Sequence, residues 1–280
     1  MWIWIVGGLL LWVLLAFAVA VVIGRGIRMA DMLSGPPLTA ADATGEVRLR
    51  TARRRVPLPP VGIALAATAV LLETTGYITR LAGATGPVAR ALSMDAPFSV
   101  PRTFVAALFA VAAVAAVAGA VRAPGRRAWW IAVGLVSAGI AVVKFGGTVH
   151  VDVMTALSDA VGAAGAVVVS VAVVVAVLAV LAFVSRAERR DRRRVLTGLA
   201  AYGAASVGLS TISTLAVGQW AVTATYLEES GEALAGVAVL VAVLVGVAPR
   251  LVLPAPWVLR RHSDAATLDV PEQLPRALRG

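Results

Sequence analysis

The sequence predicts an all-α fold: a polytopic membrane protein, a bundle of about seven transmembrane helices with its N-terminus outside and its C-terminus inside. Three observations carry that prediction. Of the 280 residues, 60% are hydrophobic and 14% charged, far from the roughly 45–50% apolar and 25% charged of soluble chains. The apolar residues fall in blocks of about 20, long enough at 1.5 Å of rise each to cross a hydrocarbon core about 30 Å thick. Between the blocks, basic residues alternate from many to few, which orients the chain.

The first block, Trp2 to Ile23, has no basic segment before it and is followed by Arg25 and Arg28. That order is the reverse of a cleaved secretory signal, so residues 1–24 read as an N-terminal transmembrane anchor. Residues 25–60 form a basic cytoplasmic linker, with turn formers at Ser34 to Pro37, Arg53 to Arg55 and a PLPP stop. The six-helix transmembrane bundle occupies residues 61–252. Its spans are Val61 to Thr79, Thr103 to Val121, Ala128 to Phe145, Val161 to Val184, Val195 to Val217 and Glu232 to Leu251. The tail, 253–280, is rich in Pro, Asp and Arg and too short for a core, so it reads as mobile and cytoplasmic.

Counting basic residues sets the threading. The first loop (Arg25, Arg28, Arg48, Arg50, Arg53, Arg54, Arg55), Arg122 with Arg126 and Arg127, the six arginines of RAERRDRRR, and Arg250 with the tail all fall on one side. Only Arg80, Arg90, Arg102 and Lys144 fall on the other. Basic residues accumulate in cytoplasmic loops, so the richer side is inside and the expected location is the cell membrane, crossed many times.

Composition also removes function classes. There is no cysteine, which excludes disulfides, thiolate metal sites and thiol nucleophiles. The chain carries no P-loop, GxSxG elbow, HExxH pair or dinucleotide GxGxxG. Only His150 and His262 are available for imidazole chemistry, so no cofactor is expected and the chain reads as a non-enzyme. The net charge of +10 is dispersed among membrane loops, which points to lipid headgroups rather than nucleic acid as partners. The arginine-rich loops also suit a cytoplasmic or membrane protein partner. Arginine outnumbers lysine 24 to 1, in keeping with a GC-rich bacterial genome. Rhodopsins share the helix count but hold retinal on a lysine of the last helix, whereas Lys144, the single lysine, is in the fourth.

Charged side chains inside spans are costly and mark partners or pathways. Glu73 lies about 18 Å along the second span and Lys144 about 24 Å along the fourth, depths within a helical turn or so of each other. An ion pair between them is expected. Tyr77 follows Glu73 at i+4 and shares its face. After the fourth span, Gly146 and Gly147 bring His150 and Asp152 near the outer surface. His150 is a candidate metal or proton ligand, against a plain role as a solvated interfacial residue.

The sixth span is the least apolar. Tyr202, Ser206, Ser210 and Thr214 recur every four residues, as a packing stripe or as the lining of a hydrated path. That span leads into YLEESGEALAG, where Glu228, Glu229 and Glu232 stand at i, i+3 and i+4 spacings that let them converge on one helix face. At the expected start of the last span they read as a helix cap favoured by the positive end of the dipole. Glu232 must lie inside the boundary for that span to reach about 20 residues. Glu229-Ser-Gly-Glu232 before a long apolar helix resembles the R-E-G-L-E element of the iron permeases. Glu228 stands where that element has arginine and a second copy is missing, so the resemblance covers five residues and assigns no family.

Two functions follow as expectations. One is ion or small-solute binding and transport through a polar site open to the extracytoplasmic side. In the other, a non-catalytic accessory, sensor or assembly protein, the polar residues hold helices together and the arginine loops contact a partner.

Overall fold

A computed structural model of the chain describes residues 59–146, 148–185, 189–215 and 218–253. The expected anchor, nearly all of the linker, and the tail beyond Leu253 lie outside the described residues. Those that are described contain helix and no strand, and six of the helices are long and apolar enough to cross a membrane. This is a multi-pass membrane protein.

The PLPP stop starts α1, Pro60–Leu81, because Pro at the first helical position gives up no hydrogen bond and has its φ already set. A short α2, Pro87–Ala91, lies in the connection to α3, Val100–Arg122. A 3₁₀ turn at Pro124–Arg126 leads into α4, Arg127–Phe145, which ends on Gly146 in the left-handed conformation (φ 115°). These spans match the expected ones within a few residues.

The next segment departs from expectation. Helix α5 runs from Thr148 to Val184 but is broken at Gly162 (φ 75°, ψ 165°), a backbone state open in practice only to glycine. Ser170 Oγ lies 3.9 Å from Met154 Sδ, although the two are 16 residues apart. A continuous helix would separate them by about 24 Å. The chain therefore folds back at Gly162, and the arm beyond it is the expected span to Val184.

Helix α6, Arg189–Gly203, begins inside the arginine run expected to be a loop. It passes into a π-helical segment, Ala204–Leu209, and then α7, Ser210–Leu215, so that one crossing is made of three pieces. Helix α8, Gln219–Val247, is followed by the short α9, Pro249–Val252. It starts more than three helical turns before Glu232, where the last span was expected to begin. The glutamates are thus interior helical residues, and the reading of them as a helix cap is overturned.

Helix α8 is the axis of the bundle, packing against α1, α3 and α6, while α3 also packs along α4. Lipid supplies no hydrophobic force between helices, so close contact between small residues must hold them. The core shows this in Ala112, Ala116 and Ala120 of α3, all buried, and in Gly246 of α8, where a Cβ would strike the Trp130 ring. Successive spans run antiparallel. One end of the bundle carries Lys144 and the 82–99 connection, the other Arg126 and Asp191.

Candidate functional site

Four charged side chains meet inside the bundle, toward its Lys144 end. Glu73 of α1, Lys144 of α4, and Glu229 and Glu232 of α8 are 1%, 5%, 6% and 2% exposed. Lys144 Nζ donates to Glu229 Oε2 at 2.8 Å and also contacts Glu232 Oε2. Glu229 and Glu232 can both reach one ammonium because a spacing of three places them on the same helix face. Tyr202 of α6, itself buried, lies beside Glu232 and packs edge-on to Phe109 at 4.8 Å. Glu73 lies within electrostatic reach of Glu229, Lys144 and Glu232, and its Oε2 has no hydrogen-bond partner among the described residues.

The expected Glu73–Lys144 ion pair is corrected by this geometry. The two sit at similar depth, as foreseen, but the lysine is bonded to the α8 carboxylates. Depth along a helix is legible in sequence; rotation about its axis relative to three neighbours is not. Glu228, turned about 100° from Glu229 around the helix, is half-buried.

Tyr77 belongs to a polar seam between α1 and α8 rather than to the lysine. Its hydroxyl is 3.1 Å from Thr223 Oγ1, its ring stacks at 4.8 Å on Tyr226, and the Tyr226 hydroxyl is 3.1 Å from Thr74 Oγ1. Of the four-residue stripe, Tyr202 reaches the carboxylates, while Ser206 and Ser210 are half-buried beyond it. The π-helical segment begins two residues after Tyr202 and packs on the same stretch of α8, with Ala205 and Leu209 facing Gly231. Such segments widen the helical turn and concentrate at functional sites. The backbone of His150 lies in the first turn of α5; its side chain and that of Thr214 are outside the described residues.

Two arginines that counted in the sequence only toward the threading brace the site. Arg102 donates from Nε to the Lys144 carbonyl (3.4 Å) and from Nη1 to the Asp95 carbonyl (3.1 Å), tying the lysine's helix to the 82–99 connection. Arg80 donates to Asp95 Oδ2 at 2.8 Å, and Ser93 donates to Asp95 Oδ1 at 2.9 Å. Burial pushes the Asp95 carboxyl up, and these two hydrogen bonds, with the Arg80 charge and a backbone hydrogen bond, more than offset it, holding it below the ordinary carboxylate value.

A second buried cluster lies at the opposite end. Arg126 donates to Asp191 Oδ2 at 2.8 Å and lies 5.5 Å over the Trp130 ring, while Trp129, Trp130 and Asp191 are all at most 2% exposed. Asp191 sits among arginines that read as a solvated loop, which hid it; its burial comes from α6 starting early. Among the described residues, no group of three or more His, Cys, Asp or Glu side chains is arranged to hold a metal ion. No protein-family model, curated protein or solved structure matches the chain.

Proposed function

We propose that the protein transports an ion or small solute, and that the Glu73–Lys144–Glu229–Glu232 site exchanges a cation, in the first place a proton, with the extracytoplasmic side. One observation carries this reading: Glu229 and Glu232 share one buried lysine, and a third buried carboxylate, Glu73, lies within electrostatic reach of it with Arg102 as the other cation in range. A structural clamp needs one carboxylate per ammonium. Uncompensated carboxylates in a dry bundle cost several kcal/mol each, so the surplus is met by a cation that can come and go. The partnerless oxygen of Glu73 is the acceptor such a cation would use.

Access supports the same reading. A cavity of about 1290 Å³ opens at the Lys144 end and reaches Gly76, one helical turn from Glu73. The Arg126 end holds buried tryptophans and an ion pair. Among the described residues nine arginines lie toward the Arg126 end and four basic residues toward the Lys144 end, an asymmetry that supports reading the open end as extracytoplasmic.

The test is a potentiometric difference titration of the purified protein against Glu73→Gln, paired with proton influx into proteoliposomes loaded with a pH-sensitive dye. The wild type is expected to bind one proton more than the variant and to admit protons faster. Superimposable titrations together with equal influx would refute the proposal.

A further inference from the structure

The cavity at the Lys144 end has a chemistry of its own, carried by residues outside the carboxylate site. It is walled by the end of α1, by α2 and by the chain up to Phe98, and the charged residues in that wall are Arg80, Arg90 and Asp95. Arg80 and Asp95 are paired, so the wall keeps one net positive charge, which Arg90 supplies. Arg80 uses Nη1 for Asp95, and a guanidinium carries five N–H donors. Two arginine forks therefore face a space with one carboxylate between them.

The rest of the wall is uncharged, with Thr79, Thr85 and Ser93 beside small and apolar residues. Alanines line it together with Pro97 and Phe98, and Phe98 is 65% exposed, with its ring edge-on to Phe145 at 5.5 Å. Phe98 also holds a positive φ of 59°, a conformation that a bulky residue adopts only where its surroundings impose it. The connection is not a slack loop. Met94 is fully buried, and the Leu92 carbonyl rests on Gly76, where a Cβ would leave only 2.5 Å to that oxygen. The volume, about 1290 Å³, exceeds the 300–1,000 Å³ or so that holds a drug-sized molecule. A bare ion would leave most of it unfilled.

We infer that this cavity binds an amphiphilic anion, a carboxylate or phosphate head held by Arg90 and Arg80 with its hydrocarbon part against Phe98 and Pro97. Arginine suits such a head because its planar fork matches two oxygens at once, which a lysine cannot do. The ligand reaches the cavity either as a free solute or as the headgroup of a bilayer phospholipid. The inference does not depend on the carboxylate site holding a proton.

Two probes distinguish the sources. The full chain in phosphatidylcholine nanodiscs is titrated with radiolabelled decanoate, and separately prepared with spin-labelled phosphatidylglycerol whose immobilised fraction is read by electron paramagnetic resonance. Arg90→Gln is the decisive variant, since the residue is exposed and its loss leaves the Arg80–Asp95 pair in place. Saturable decanoate binding that weakens about tenfold or more in Arg90→Gln identifies a free amphiphile; an Arg90-dependent immobilised lipid without decanoate binding identifies the headgroup. Arg90→Lys is expected to fall between the two. Saturable binding of neither probe, or binding equally strong in Arg90→Gln, overturns the inference.

Discussion

Replacing Lys144 by Met removes the cation that Glu229 and Glu232 share and keeps a stem of similar length in place. The two carboxylates are 6% and 2% exposed, so water cannot take over the ammonium's role. Removing one partner of a buried pair costs about 3–5 kcal/mol. Because one lysine serves two carboxylates here, the upper end of that range is expected, near 5 kcal/mol. Set against a typical total stability of about 5–15 kcal/mol, such a loss is a third or more of the whole. The assay is reversible unfolding of the purified protein in mixed micelles, followed by tryptophan fluorescence, since Trp129 and Trp130 are 2% and 1% exposed when folded. The triple variant Lys144→Met, Glu229→Gln, Glu232→Gln separates charge from packing. Neutral replacement of buried ion pairs is often neutral or stabilising, so it should return to within about 2 kcal/mol of wild type. A single variant within about 1 kcal/mol of wild type, or a triple no better than the single, refutes the assignment of these residues as a desolvated charge cluster.

Two further outcomes follow from the ends of the bundle. Asp191→Ala should lower stability by about 1–3 kcal/mol, less than a fully buried pair because Arg126 retains 30% exposure; the same unfolding assay measures it, and no loss would show that Arg126 holds that end without it. Asp95, whose carboxyl titrates below its unfolded value, contributes stability that is present above the ordinary carboxylate range and disappears as pH falls through its folded value. Thermal stability should therefore fall below about pH 4, and Asp95→Asn should flatten that acid limb; a variant with an unchanged acid limb contradicts the pairing.

The spans were legible because hydropathy and helix length are one-dimensional. Starts and ends of α1, α3 and α4 fell within three residues of expectation for that reason. Helix α8 was misjudged at its start because TATYLEES is polar along the chain. In the bundle its Tyr226, Glu229 and Glu232 are buried against neighbouring helices, a fact that belongs to packing. The reversal at Gly162 was invisible because apolar residues lie on both sides of it. The candidate site was half legible: Glu73, Lys144, Glu229 and Glu232 stood out as costly charges in apolar context. Their pairing, and the part played by Arg102 and Asp191, depend on how helices turn toward one another. No spacing within a single helix encodes that.

The six crossings among the described residues also have a consequence for connectivity. An even number of antiparallel passes returns the polypeptide to the end it left, and α9 packs against α1 at that point. Pro59 and Leu253 therefore bound a nearly closed circuit. A short tether from one to the other would make the bundle a ring, which could be reopened between α3 and α4 at Gly125, where nothing lies within 4 Å of a Cβ position. The order in which the spans are translated is in that sense separable from the arrangement they reach.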